Sequence, residues 1–167
     1  AFVTALRITM GEQAARDWLL AMKANGTRVY ANNIAQVQAV AAGEVDVALV
    51  NHYYLYPMLE ERGDGFDARN HFFTSGDIGG MVNVAGVGIL DTSQQDAIAR
   101  RFIEYLLSRE AQQYFAEETY EYPLASGSVP VGEIPALSTL RPPAVDLNGL
   151  HDLPGTLRLL RETGVLP

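Results

Sequence analysis

The sequence predicts an α/β protein: a parallel sheet with flanking helices. Three observations carry that expectation. Arg28-Val29-Tyr30-Ala31 reads as a short strand, Asn33 to Gly43 as a helix, and Val45-Asp46-Val47-Ala48-Leu49-Val50 as the most uniformly apolar run in the chain. Strand, helix and strand in that order form the repeating unit of a parallel sheet. An apolar run of this length following Gly43-Glu44 reads as a strand buried on both faces. Amphipathic helices on either side of this unit supply the flanking layers.

The elements follow in order. Phe2, Leu6 and Met10 fall at helical spacing with no capping residue before them, so the start reads as the inside of a helix and the chain as beginning part-way through a longer protein. From Gly11 to Asn25, Ala15, Trp18, Leu19 and Met22 recur at i, i+3, i+4 and i+7, and Gly26 stands at the C-terminal cap. Asn33 is a candidate N-cap for the next helix, which turns Val37, Val40 and Ala41 inward and stops at Gly43. Past the central strand, Leu55 to Arg62 is a short helix with Pro57 near its start, ended by Gly63-Asp64-Gly65.

His71-Phe72-Phe73-Thr74 reads as a further strand. Val82 to Leu90 alternates as another and carries Gly86 and Gly88, a position for a bend or a hinge. Asp91-Thr92-Ser93 caps a helix whose expected inward face is Ile98, Phe102, Tyr105 and Leu106. Ser108 caps the next, with Ala111, Tyr114 and Phe115. Tyr120 to Pro143 is an irregular, proline-rich connection. A last helix starts near Asp152-Leu153-Pro154, packs Leu153, Leu157 and Leu160, and ends at Gly164.

Composition narrows the function. With 167 residues, 48% of them hydrophobic and 19% charged, the chain has enough apolar material for a folded core. A net charge of -8 and the lack of any Lys/Arg cluster argue against nucleic acid. With no cysteine, thiolate metal sites and cysteine nucleophiles are excluded. No phosphate-binding loop and no G-x-S-x-G is present. His52, His71 and His151 form no metal-ligand spacing, and Glu60-Glu61 and Glu117-Glu118 read as solvated charge. These features point to a binding protein and away from an enzyme.

The candidate site is Asn51-His52-Tyr53-Tyr54, at the C-terminal end of the central strand, where ligands bind in open α/β sheets. A phenolate is a hard anionic donor, suited to a small ion of high charge such as Fe(III). A trivalent ion also supplies the compensation needed to deprotonate a phenol of pKa ~10. Adjacent residues on a strand face opposite ways, so Tyr53 and Tyr54 can meet one ion only where the backbone leaves extended geometry. The ordinary alternative is that they pack as amphipathic aromatics. Asn33 and Asn51 both end predicted strands, where their amides can hold a small anion, or Asn33 can simply cap its helix.

These residues resemble a known family, the periplasmic ferric-ion-binding proteins of ABC-type iron transporters, which have the type II periplasmic binding-protein fold. The likeness lies in the opening Ala1-Phe2-Val3-Thr4-Ala5-Leu6-Arg7, Asn32-Asn33, and Gly43-Glu44-Val45-Asp46-Val47 with Asn51-His52-Tyr53-Tyr54-Leu55-Tyr56. It continues in Val82-Asn83-Val84-Ala85-Gly86-Val87-Gly88 and Thr119-Tyr120-Glu121-Tyr122-Pro123-Leu124.

The resemblance implies that Tyr53 and Tyr54 are phenolate ligands to Fe(III), that a synergistic anion, phosphate or carbonate, completes the coordination, and that Asn33 and Asn51 hold this anion. His52 becomes a supporting residue. It further implies a periplasmic or extracytoplasmic location and delivery of iron to an ABC permease in the inner membrane. The chain would be the C-terminal half of the protein, with the N-terminal half and its metal ligands missing, completed by that half or by a swapped copy.

Residues 1–83 would then belong to the C-terminal lobe with the tyrosine pair, 84–134 would cross to the N-terminal lobe, and 135–167 would return, with Val129 to Pro135 as the way back. The alternative is a type II binding protein for a small anion or organic acid without metal. An effector-sensing module or an anion-handling enzyme on the same fold is a further class.

Overall fold

The computed structural model describes residues 1–127, 130–131 and 133–166. Among the described residues seven α-helices appear in order: α1 (Phe2–Met10), α2 (Glu12–Ala24), α3 (Asn33–Ala41), α4 (Tyr56–Arg62), α5 (Asp96–Leu106), α6 (Arg109–Thr119) and α7 (Leu153–Glu162). They fall into two compact units. One comprises Ala1–Asn32, His71–Asn83 and Leu140–Pro167; the other comprises Asn33–Asn70 and Val84–Thr139.

The first unit is a helical cluster. Gly11, at φ 87°, both ends α1 and begins α2, a backbone turn that a side chain would strain. It folds the two helices together, so that Leu6, Ala15 and Leu19 meet Leu159 of α7 in one core, with Trp18, Phe2 and Ile78 at its edge. Expected and observed faces differ in α7. Leu153 is exposed, while Leu159 is buried. Asp152 caps the helix by accepting from Gly155 N–H at 3.0 Å, and Leu160, expected on the inward face, packs against the same core.

The second unit is built around α3 and α4. Val37, Leu55, Met58, Phe66 and Ala68 form its core, with Val40, Ala41, Val50 and Tyr54 packed against them. Ser108 caps α6 as the sequence suggests, accepting from Ala111 N–H at 3.2 Å. The helix before it begins later than expected. Residues 91–95 form turns, with Ser93 Oγ accepting from Gln95 N–H, and α5 starts at Asp96. Its expected inward face is exposed: Ile98, Phe102 and Tyr105 are each more than half accessible.

The predicted strands need a further correction. Among the described residues no β-strand forms, neither at 28–31 and 45–50 nor at 71–74 and 82–90. Val47 is 83% exposed and Leu49 56%, the opposite of a strand buried on both faces. The physical reason is that a strand exists only through a paired neighbour, and an apolar run is buried only where other elements cover it. Asn33 also departs from its expected capping role: it is the first residue of α3, and its side chain turns elsewhere. Val129, one end of the expected return connection, lies outside the described residues.

Candidate metal centre

The candidate site lies within the second unit, where the 45–50 run gives way to α4. Asn51 is the last extended residue (φ -72°, ψ 135°), and His52–Tyr54 form a single 3₁₀ turn ahead of the helix. This turn removes the up-down alternation of a strand. Tyr53 and Tyr54 consequently lie on one side, with ring centroids 4.6 Å apart and planes tilted by 37°. Tyr54 leans on the core of Val37, Leu55 and Met58, which fixes one ring of the pair to a packed foundation.

The two asparagines meet at the same turn. Asn51 donates its backbone N–H to Asn33 Oδ1 at 3.0 Å, which holds the Asn33 side chain against the turn through its carbonyl oxygen. Asn51 Nδ2 in turn donates to the phenol oxygen of Tyr53 at 3.2 Å. All four sequence-predicted site residues are therefore brought together.

The other tyrosines nearby hold their protons differently. Tyr120 donates its hydroxyl to the Glu60 carboxylate, and Tyr122 donates to Pro135 O at 2.7 Å. Hydrogen bonding to Glu60 pushes Tyr120 up to about 12, and burial does the same for Tyr122. Tyr53 is the phenol whose oxygen receives an amide donor. Burial raises its pKa above the ordinary value and Tyr54 adds to the rise, while the Asn51 amide opposes both by stabilising the phenolate. A cation at this point would be the further charge that tips the balance.

His52 is half-buried in the aromatic cluster. Its Nε2 lies 2.8 Å from Tyr120 O. Burial lowers its pKa below the usual value, with the Tyr120 bond and the charge of Glu121 acting in the opposite sense. A carbonyl only accepts, so in the neutral ring Nε2 carries the proton. His71 and His151 belong to the first unit. Among the described residues no three His, Asp or Glu side chains gather as a metal cluster.

What sequence reasoning missed is the supporting layer. Tyr120, Tyr122 and Asn70 reach the turn from far along the chain, and only the run Thr119-Tyr120-Glu121-Tyr122 hinted at the first two; Glu60, close by in sequence and expected to be solvated charge, instead accepts the Tyr120 hydroxyl.

A family described as bacterial extracellular solute-binding protein matches residues 1–143, and the chain belongs to that family. Among its curated relatives is the major ferric iron-binding protein of Neisseria meningitidis, 32% identical over 164 residues, covering 98% of this chain and 49% of the relative. Iron uptake protein A2 of Synechocystis is 37% identical over 174 residues, covering 97% and 50%. Iron-bound HitA from Pseudomonas aeruginosa superposes with a TM-score of 0.90 at 34% identity, over 98% of this chain and 53% of that one. The chain thus spans about half the length of the relatives it matches. The type II binding-protein architecture follows from the last comparison at the level of the half that is covered.

Proposed function

We propose that this chain carries the tyrosine side of a ferric-ion site in an extracytoplasmic solute-binding protein that hands its iron to an ABC permease. Tyr53 and Tyr54 are the phenolate ligands, and Asn33 and Asn51 hold a synergistic phosphate or carbonate beside them. The observation that carries the reading is the pairing of two phenols on one 3₁₀ turn, with Asn51 donating to the Tyr53 oxygen. Fe(III) is the cargo: two adjacent hard anionic oxygens match it and discriminate against soft-ligand metals. The Asn33 amide, whose oxygen already accepts from Asn51, offers its NH₂ to an anion. Relatives named for ferric iron binding and iron uptake support the same cargo.

Within this reading the remaining ligands come from the part of the relatives that this chain does not span, or from a swapped copy, and the exposed apolar runs take up their parallel-sheet pairing there. Two phenolates alone bind iron less tightly than a completed cleft.

The test is to add Fe(III) with phosphate to the chain and record the visible spectrum. A phenolate-to-iron charge-transfer band is expected. No colour, and no thermal stabilisation on adding iron and anion, would sink the reading. Calorimetry with phosphate in the absence of metal separates it from a plain anion-binding protein, which would bind with equal affinity when iron is omitted.

A further inference from the structure

Residue 52 is held more firmly than any role as a ligand-free spacer requires. Its backbone carbonyl accepts from Asn70 Nδ2 at 2.9 Å, and its ring nitrogen reaches Tyr120 O at 2.8 Å, so residues 18 and 68 positions away fasten the same residue from two directions. The imidazole lies 5.6 Å from the Tyr53 ring in an edge-on arrangement and 5.2 Å from that of Tyr122. The far end of the link is itself fixed. Tyr120, buried just past the end of α6, has φ 58°, the one positive value among non-glycine residues described, so the chain turns there in a conformation that side chains adopt reluctantly.

That turn aims the Tyr120 carbonyl at His52. Stacking on Tyr56 with centroids 4.9 Å apart, together with the hydroxyl bond to Glu60, secures the Tyr120 ring against α4.

We infer that His52 is a positioning residue for the tyrosine pair, its Nε2–H tying the turn that carries Tyr53 and Tyr54 to the carbonyl of Tyr120. The inference rests on the ferric reading of that pair. A metal site assembled from two consecutive side chains needs their backbone held, since a small rotation of the 3₁₀ turn swings both phenol oxygens. Outer partners that orient ligands are worth roughly 10–100-fold in metal affinity. The link also couples the pair to the end of α6, a segment far along the chain, so the site is not assembled from local sequence alone.

Two substitutions separate the donor from the ring. His52→Phe keeps an aromatic ring against Tyr53 and Tyr122 but has no N–H; His52→Gln places an amide donor near the Nε2 position without the ring. Fe(III) titration with phosphate in the 167-residue chain should show His52→Phe weakened roughly 10–100-fold, with the charge-transfer band displaced, and His52→Gln within a few-fold of the parent with the band restored. Equal affinity and an unmoved band in His52→Phe overturn the inference. So does an equal loss in both variants, which would mean that the ring and not the donor matters.

A second measurement needs no iron. Nuclear Overhauser contacts between the Tyr53 and Tyr54 rings should persist in the parent and in His52→Gln and vanish in His52→Phe. Should the parent chain neither colour nor gain thermal stability with iron and phosphate, the ferric reading falls. The ring contacts still decide on positioning, and their survival in His52→Phe rejects it.

Discussion

The two units each hold a dense polar cluster, and the clusters differ in where their hydrogen bonds end. In the first, Arg7 donates to Glu12 at 2.6 Å, to Asp152 at 2.8 Å and to Thr156 Oγ1 at 2.9 Å, while Thr156 bonds to Thr4 at 2.8 Å. Charge meets charge, hydroxyl meets hydroxyl, and the cluster closes on itself between α1 and α7. In the second, Tyr120 and Tyr122 donate to acceptors in the same closed manner, but Tyr53 accepts from Asn51 and lies against a second phenol. The contrast separates a polar network that fastens helices from one that fastens a pair of phenols on a single turn. Substitutions in the two clusters should therefore have opposite signatures.

The largest effect is expected at the pair. Tyr53→Phe and Tyr54→Phe should each abolish the charge-transfer band and leave the melting temperature of the iron-free chain nearly unchanged, measured by visible absorption and by circular dichroism. Leu159→Ala reverses that pattern. Leu159 is 1% exposed in the core with Leu6 and Leu19, and removing it should cost the first unit about 2–5 kcal/mol in a denaturant titration.

Gly155→Ala should follow at about 1–2 kcal/mol, because a Cβ there displaces the ends of the Asp152 and Arg7 side chains and with them the cap of α7. Asn33→Leu, which removes the amide but keeps the bulk, should weaken phosphate-dependent iron binding about tenfold, or ~1.4 kcal/mol, by calorimetry. If Tyr53→Phe unfolds the chain or Leu159→Ala removes the colour without unfolding it, the separation between the two clusters fails.

Much of this was legible in the sequence, and the reason is local chemistry. Apolar spacing located α1, α2, α3 and α7; Ser108 marked a helix start; and adjacent tyrosines that are to meet one ion after an extended run called for a departure from extended backbone, which the structure supplies at 52–54. What could not be read locally was anything that depends on a neighbour. The run 45–50 had the composition of a buried strand, yet burial is a property of what lies alongside it, and Val47 is exposed. Likewise the spacing along α5 reads as an inward face, yet Ile98, Phe102 and Tyr105 are exposed. The partners of His52 stand up to 68 residues away, beyond any motif.

The smallest predicted effect tests the comparison without any mutation, because the two clusters titrate at opposite ends of the pH scale. In the first unit, Arg7 holds the Asp152 carboxyl below its usual range, with Gly155 N–H assisting, and Arg16 does the same for Glu162. A depressed carboxylate contributes stability that is present above its ordinary pKa of ~4 and is lost as pH falls through the folded value. In the second unit, Glu60 and burial raise Tyr120 and Tyr122 to about 12. A raised phenol contributes stability that is complete below its ordinary pKa of ~10 and is lost as pH rises through the folded value.

Acid should therefore loosen the first unit before the second, and alkali the second before the first. The optical probes divide the same way. The single tryptophan, Trp18, packs edge-on to Phe2 in the first unit, whereas seven of the eight tyrosines lie in the second. Trp18 fluorescence should thus move first on acidification, and the near-ultraviolet tyrosine signal should move first in alkali. All four carboxylate and arginine side chains of the acid-sensitive pairs keep some solvent contact, so screening limits the effect and salt should shrink it further. Coincident transitions of the two probes at both extremes would mean that the units unfold as one, and that the two clusters answer to the same core.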